Sequence, residues 1–407
     1  GEVKIDMINL ISFLKRIKRS LCGLRDDCLF HLYRNLFRHA SLQSNKIIFN
    51  NFNGRGYGDN PKYIAEELLR REMPYDLVWV VNRKQDPTVP KAIRTVRAGS
   101  WREAYEYATA KVIVNNVKSR LPFHKKKEQY YIQTWHGCFA LKRIEGEVEN
   151  ELAPIYVRYS QRDSAMTDVM LSGSSMISDI MRRYFWYSGE IFECGQPRDD
   201  IFFSQTEDEI KELKMKYGIP VGTKVAVYAP TFRDNRNTSA YKEFDAHRFR
   251  DCLVRKTGKQ WMVIVRLHPN VAFQDSLFRY DDTVLNGSQG MDGQELFLLG
   301  DLLVTDFSSV MMDFAIMKKP VFLFTPDLDE YRKDRGLRPL FDTLPFPRCM
   351  SQEALDSAVL SYDKSSYLEN LHHFMETSYK NYSDGHASER VAERIKQVID
   401  GTFTSKA

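Results

Sequence analysis

Short apolar runs recur along the chain, separated by stretches whose apolar positions fall at steps of three and four. The runs at 46–52 (KIIFNNF), 76–82 (DLVWVVN), 111–116 (KVIVNN), 130–134 (YYIQT) and 169–172 (VMLS) read as strands. Helices are predicted near 62–71, 101–110, 160–168 and 175–186, with Pro61 suited to a first helical turn after a Gly-rich segment. A second series follows a polar stretch near 205–222: strands at 224–228 (KVAVY), 262–267 (MVIVRL), 301–305 (DLLVT) and 320–324 (PVFLF), with helices near 245–256, 294–299 and 309–318. Strands alternating with helices imply an α/β protein with parallel sheets covered on both faces. The pattern divides into two Rossmann-like units, 41–220 and 221–407, the second ending in helices over 352–400.

Ahead of them, residues 5–22 predict an amphipathic helix. Met7, Leu10, Leu14, Ile17 and Leu21 form its apolar stripe, and Lys15, Arg16, Lys18 and Arg19 crowd the polar side. Such a helix suits an anionic membrane surface, and equally suits docking on its own domain or a second subunit. Residues 1–40 are therefore set apart as a membrane-association segment. No apolar run approaches the ~18–20 residues of a membrane span, and no signal-peptide pattern opens the chain.

Composition narrows the classes. Of 407 residues, 43% are hydrophobic and 13% aromatic, which excludes a disordered or collagen-like chain. Six cysteines lie far apart with no CxxC pair, as in a reduced, cytoplasmic protein without a zinc site. Net charge is only +5, and residues 1–39 hold eight Lys/Arg against four Asp/Glu. No basic stripe with interleaved aromatics marks a nucleic-acid binder.

The chemistry-bearing residues gather where strands end, the edge at which α/β sheets bind ligands. His136 and Gly137 follow YYIQT; Pro230, Thr231 and Arg233 follow KVAVY; Arg266, His268 and Pro269 end MVIVRL. After DLLVT come Asp306, Ser308 and Ser309, with the two serines predicted at the N-cap and first turn of a helix, where amides and hydroxyls favour an anion. Ordinary capping by serine accounts for them equally. Asp313, one turn on, is placed to reach a sugar hydroxyl or to face solvent. Arg266 and His268 alternate on one strand end, so they share a side, and Arg198 is a further phosphate partner near the junction of the halves. Gly137 suggests close approach of a ligand to His136, which can act as a base near neutral pH. No P-loop, GxGxxG or GxSxG is present, and no Asp/Glu/His group has metal-ligand spacing. Transfer from a preactivated nucleotide-diphosphate donor, its charge carried by basic residues rather than a metal, fits best.

At these residues the chain resembles the CDP-glycerol glycerophosphotransferase family, which makes teichoic-acid and capsule polymers. The resemblance runs over about 46–395 and rests on Phe52-Asn53-Gly54 with Asp59-Asn60-Pro61, Gln133-Thr134-Trp135-His136-Gly137, Gly195-Gln196-Pro197-Arg198, Tyr228-Ala229-Pro230-Thr231, Arg266-Leu267-His268-Pro269, Thr305-Asp306-Phe307-Ser308-Ser309 with Asp313, and Tyr331-Arg332 with Arg335-Gly336. It implies a GT-B fold and a peripheral enzyme on the cytoplasmic face of a bacterial membrane. It further implies a CDP-glycerol or CDP-ribitol donor, CMP as product and a lipid-linked or glycan acceptor, with no cofactor and no nucleic acid. On this resemblance His136 and His268 are catalytic. Gly137, Arg198, Pro230, Thr231, Arg266, Ser308, Ser309 and Asp313 hold the donor. The segment His136-Gly137-Cys138-Phe139-Ala140-Leu141-Lys142 is one residue longer than the family's usual run, and Leu337-Arg338 replaces its usual aromatic pair. Two other classes are a CMP-sialic-acid-dependent sialyltransferase, whose acidic-acidic-Gly motif is missing from the first half, and a non-catalytic glycan- or membrane-binding protein.

Overall fold

The computed structural model describes residues 32, 33, 35–82, 86–119, 123–231, 239–267 and 277–404. The predicted helix over 5–22, Arg233 and the catalytic candidate His268 with Pro269 lie outside the described residues.

Seven strands build the first sheet: β1 (Gln43–Asn50), β2 (Asp76–Val81), β3 (Arg94–Arg97), β4 (Ala110–Asn115), β5 (Tyr130–Gln133), β6 (Val169–Leu171) and β7 (Glu190–Phe192). Their order is β3-β2-β1-β4-β5-β6-β7, and every pairing is parallel. Six strands build the second: β8 (Lys224–Tyr228), β9 (Trp261–Val265), β10 (Val284–Asn286), β11 (Leu302–Thr305), β12 (Val321–Phe324) and β13 (Arg348–Cys349). These run in the order β10-β9-β8-β11-β12-β13, again all parallel.

The apolar runs are continuous because both faces of a parallel sheet are covered. With a side-chain period of two, Ile47 and Phe49 join Trp79, Val112 and Ile132 in one core, while Ile48 joins Val78, Ile113 and Tyr131 in another. The second sheet repeats this, with Val225, Val227, Ile264 and Leu303 on one face and Ala226, Val263, Val265 and Val304 on the other.

Four helices flank the seam between the sheets: α1 (Asp59–Arg70), α2 (Gly293–Leu299), α3 (Val310–Ile316) and α4 (Ala387–Asp400). The last of these, expected with the second half, packs against the first. Val391, Ala392, Ile395 and Val398 enter the core that contains Ile64, Ala65 and Leu68 of α1. Asp200, in the turn that links the halves, accepts from the Ala387 and Ser388 amides at 3.0 and 2.6 Å and so anchors the start of α4.

The two parallel sheets thus form two Rossmann-like units joined by a linker and a returning C-terminal helix, the arrangement expected of GT-B. Among the described residues no helix is long and apolar enough to cross a membrane.

Candidate active site

The C-terminal ends of the central strands of both sheets meet at one seam. β1 and β4 are neighbours in register, Asn50 opposite Asn115, so the pairs Asn50-Asn51 and Asn115-Asn116 end side by side. His136 follows β5, the next strand over.

His136 is held on all sides. Its Nδ1 lies 2.8 Å from the Asn116 main-chain oxygen. A carbonyl only accepts, so Nδ1 carries the proton and Nε2 keeps its lone pair. The imidazole packs on Trp135, centroids 4.4 Å apart, and meets the edge of Phe52 at 5.2 Å. Burial pushes its pKa below the usual histidine value; the Asn116 bond and nearby Asp59 pull the other way, and Arg198 adds to the lowering. The imidazole is therefore kept neutral. Trp135 itself has φ 54° and donates its amide to Gln133 Oε1 at 3.0 Å. Gln133 is held by fully buried Asp163 at 3.2 Å, which also accepts from Tyr131 Oη at 2.6 Å. A Cβ at Gly137 would stand 3.0 Å from the Trp135 indole nitrogen, a tight contact that the indole would have to yield to, so packing favours glycine there.

Arg198 connects this half to the other. Its Nη1 donates to the His136 carbonyl at 2.8 Å and to Asp59 Oδ2 at 3.2 Å. Its Nη2 lies 3.8 Å from Asp313 and its Nε 3.8 Å from Asp199. One guanidinium thus faces three carboxylates, with Asp199 and Asp313 both deeply buried. Burial first, then mutual repulsion, pushes Asp199 up; burial and Asp59 push Asp313 up against the pull of Arg198. Arg198 Nε, Asp199 Oδ1 and Asp313 Oδ1 are buried with no hydrogen-bond partner among the described residues. These atoms face one another as 3.8 Å ion pairs rather than through hydrogen bonds. Asp313 therefore faces the arginine rather than solvent.

The second sheet supplies the rest of its predicted set. Thr231 donates from both amide and hydroxyl to Asp306 Oδ1, at 2.8 and 2.6 Å, which fixes the turn after β8 beside the end of β11. Pro230 is buried just before it. Ser309 is the N-cap of α3 without a side-chain cap bond, and Ser308 Oγ lies 3.4 Å from the Val310 amide. The serines therefore sit one position earlier than predicted, and both remain partly exposed. Cys138 Sγ reaches the Ser309 carbonyl at 3.6 Å, which brings the loop after His136 against this turn. Arg266 is set apart from that group. Its Nη1 donates to the carbonyls of Gly287 and Met291, each at 3.0 Å, and burial lowers its pKa.

Sequence reasoning missed several members of the site. Asp199 completes the carboxylate ring and accepts from Ser383 Oγ at 2.7 Å. Asn60, quoted in a motif but given no role there, donates to the Trp135 carbonyl at 3.0 Å and to Gln196 Oε1 at 2.6 Å. Lys62 pairs with Asp292 across the seam. The doubled asparagines at two strand ends were the available signal, since buried amides at adjacent ends imply a shared network. Among the described residues no group of three or more His, Cys, Asp or Glu side chains could hold a metal ion.

A teichoic acid poly(glycerol phosphate) polymerase of Staphylococcus epidermidis is 30% identical over 96% of this chain and 54% of its own length. A teichoic acid glycerol-phosphate transferase of Staphylococcus aureus is 31% identical over 93% of this chain and 99% of its own. This chain spans about half the length of some curated relatives it matches, 54% and 45% of two polymerases. The solved structure of the wall teichoic acid polymerase TagF superposes with a TM-score of 0.81 at 27% identity, covering 98% of this chain and 99% of that one. Residues 32–397 match the family described as CDP-glycerol:poly(glycerophosphate) glycerophosphotransferase, and the chain belongs to that family.

Proposed function

We propose that this protein transfers glycerol phosphate, or ribitol phosphate, from a CDP-polyol to a hydroxyl of a lipid-linked or glycan acceptor, releasing CMP. The observation that carries the reading is the fixed tautomer of His136: its Nδ1–H is spent on the Asn116 carbonyl, so Nε2 is the basic atom.

In this reading the acceptor hydroxyl gives its proton to His136 Nε2 as its oxygen attacks the β-phosphorus. The bond from that phosphorus to the bridging oxygen breaks, and CMP carries the electron pair away. The partly exposed Ser308–Ser309 turn faces the pyrophosphate, and Arg198, Arg266 and Thr231 are assigned to it on the resemblance alone. His268 is assigned to the departing CMP on the resemblance alone. Asp313 and Gly137 belong to the donor side of the same site. The basic stripe of residues 5–22 brings the enzyme to the anionic inner face of the membrane, where a lipid-linked acceptor is met.

Release of CMP by purified protein from CDP-glycerol, CDP-ribitol and CMP-sialic acid, with and without a short soluble acceptor, tests the reading. Acceptor-dependent release from a CDP-polyol supports it. Release from CMP-sialic acid alone, or from none of the three, overturns it.

A further inference from the structure

The turn after β1 carries one of the motifs quoted above, Phe52-Asn53-Gly54, and the reaction just described leaves it without a task. All three residues are left-handed, with φ of 44°, 56° and 83°. Residues with a side chain rarely adopt that conformation, and a bulky one such as phenylalanine least of all. It persists only where the surroundings over-determine it, and such strain gathers at functional sites.

Three neighbouring strand ends supply the determination. Asn116 Oδ1 accepts from the Phe52 amide at 2.8 Å, and Asn50 Oδ1 accepts from the Gly54 amide at 2.9 Å. The Asn82 amide donates to the Gly54 carbonyl at 2.9 Å. A Cβ on Gly54 would stand 3.1 Å from that same Asn82 nitrogen, so the turn is pressed against the end of β2. Asn116 Nδ2 adds a bond to Asn51 Oδ1 at 2.7 Å.

What the strain achieves is a contact. The ring of Phe52 stands edge-on to the imidazole of His136, 5.2 Å between centroids and 62° between planes. Asn116 holds both partners: its side chain holds the turn, and its carbonyl holds His136 Nδ1.

We propose that Phe52 and Asn116 are positioning residues for His136. The left-handed turn wedges the phenyl ring against the imidazole, and Asn116 locks turn and imidazole to one strand end, so that Nε2 alone is presented to the acceptor. Without the wedge the imidazole turns away from the carbonyl and water reaches it. The charged groups that face it are Asp59 and Arg198. The proposal rests on the reading of His136 as the base.

The test pairs Phe52→Gly, which removes the ring and relieves the strained φ together, with Asn116→Ala and the ring-keeping Phe52→Tyr. Ring-nitrogen NMR of the nine histidines, with His136 assigned through His136→Gln, reads tautomer and titration without any turnover. In the wild type His136 is a single tautomer protonated at Nδ1. In Phe52→Gly and Asn116→Ala it becomes a mixture, and its titration moves up toward the ordinary histidine range. Phe52→Gly melts at or above the wild-type temperature, yet its kcat falls by about 10–100-fold while KM for CDP-glycerol stays within about two-fold. Phe52→Tyr restores the tautomer and most of kcat. An unchanged tautomer in Phe52→Gly overturns the proposal. So does a loss of melting temperature and activity together that Phe52→Tyr does not repair. Full turnover in His136→Gln instead sinks the base itself, a separate result.

Discussion

Lys62 and Asp292 meet across the seam, with Nζ 3.0 Å from Oδ2 and one residue from each half of the chain. The other Asp292 oxygen caps α2, accepting from the amides of Gln294 and Glu295 at 2.9 and 3.2 Å. One carboxylate therefore both starts a helix and bridges the two halves. The side chains are 10% and 20% exposed, too covered to be screened like a surface pair. Asparagine caps about as well as aspartate, so Asp292→Asn removes the charge and keeps the cap. A double-mutant cycle with Lys62→Met in urea melts should give a coupling energy of about 1–2 kcal/mol. A coupling near zero would show that the halves are held together by other contacts.

His136→Gln is expected to lower kcat by about 10²–10⁴-fold with the melting temperature preserved, since a general base contributes that much and glutamine can keep the bond to Asn116. Because burial holds the wild-type pKa down, the acid limb of kcat/KM should fall below pH ~6.5, the free-histidine value. The neutral imidazole is the active form, so rate is lost as pH drops through that lowered value. An acid limb at or above the free value would mean that another group sets the profile.

Asp199 makes a prediction of the opposite sense. Its pKa is raised, so the folded protein binds its proton more tightly than the unfolded chain does. The stability this contributes is complete below the ordinary carboxylate range and is lost as pH rises through the raised value. Asp199→Asn keeps an acceptor for Ser383 Oγ and cannot ionise. It should flatten the decline of melting temperature on the alkaline side and stabilise by on the order of 1 kcal/mol at pH 8.5. Destabilisation at every pH would show that Arg198 needs the charge.

How far such a site can be read from sequence depends on what each residue announces. Ile47 to Phe49 and Val78 to Val81 announce buried strands because parallel sheets are apolar on both faces. The strands β3 (RTVR) and β7 (EIF) lie at sheet edges, are three or four residues long, and carry no such run. The helix Glu207–Lys216 has no fully buried residue; only Ile210 and Leu213 lean on the second core, too few to stand out from a stretch that reads as polar. In the site, His136 was legible as a polar residue at a strand end, and Arg198 as a phosphate candidate near the junction of the halves. Asp199 and Asp292 were not, because aspartate next to a turn reads as solvent-facing until the fold supplies the arginine and the lysine opposite. The packing of α4 on the first sheet is a fact about chain return, which local periodicity cannot contain.

The first 22 residues give a prediction from charge alone. Each basic residue near an anionic bilayer is worth roughly 1 kcal/mol. Changing Lys15, Arg16, Lys18 and Arg19 to Glu should abolish co-sedimentation with anionic vesicles and leave turnover on a short soluble acceptor nearly unchanged. Loss of both, with a lower melting temperature, would instead place this segment on the protein's own core.

Ile395 tests the return of the chain. It is fully buried in α4, in one core with Ile64 and Leu68 of α1 and with Ile47, Val112 and Val114 of the first sheet. Cutting it to alanine removes three buried carbons and leaves a cavity, a change that costs about 2–5 kcal/mol. The loss should appear where the side chain packs rather than where it lies in sequence. Hydrogen exchange of the Ile395→Ala variant should show faster exchange in β1, β4 and α1, with β8, β9 and β11 protected as before. The partner variant Leu355→Ala makes the opposite pattern, because Leu355 is equally buried but shares its core with Ala226, Val263 and Val304 of the second sheet. If Ile395→Ala loosened the second sheet instead, α4 would be energetically part of the half that precedes it in the chain. Its contacts with α1 would then be a closure that comes and goes rather than part of the first domain's core.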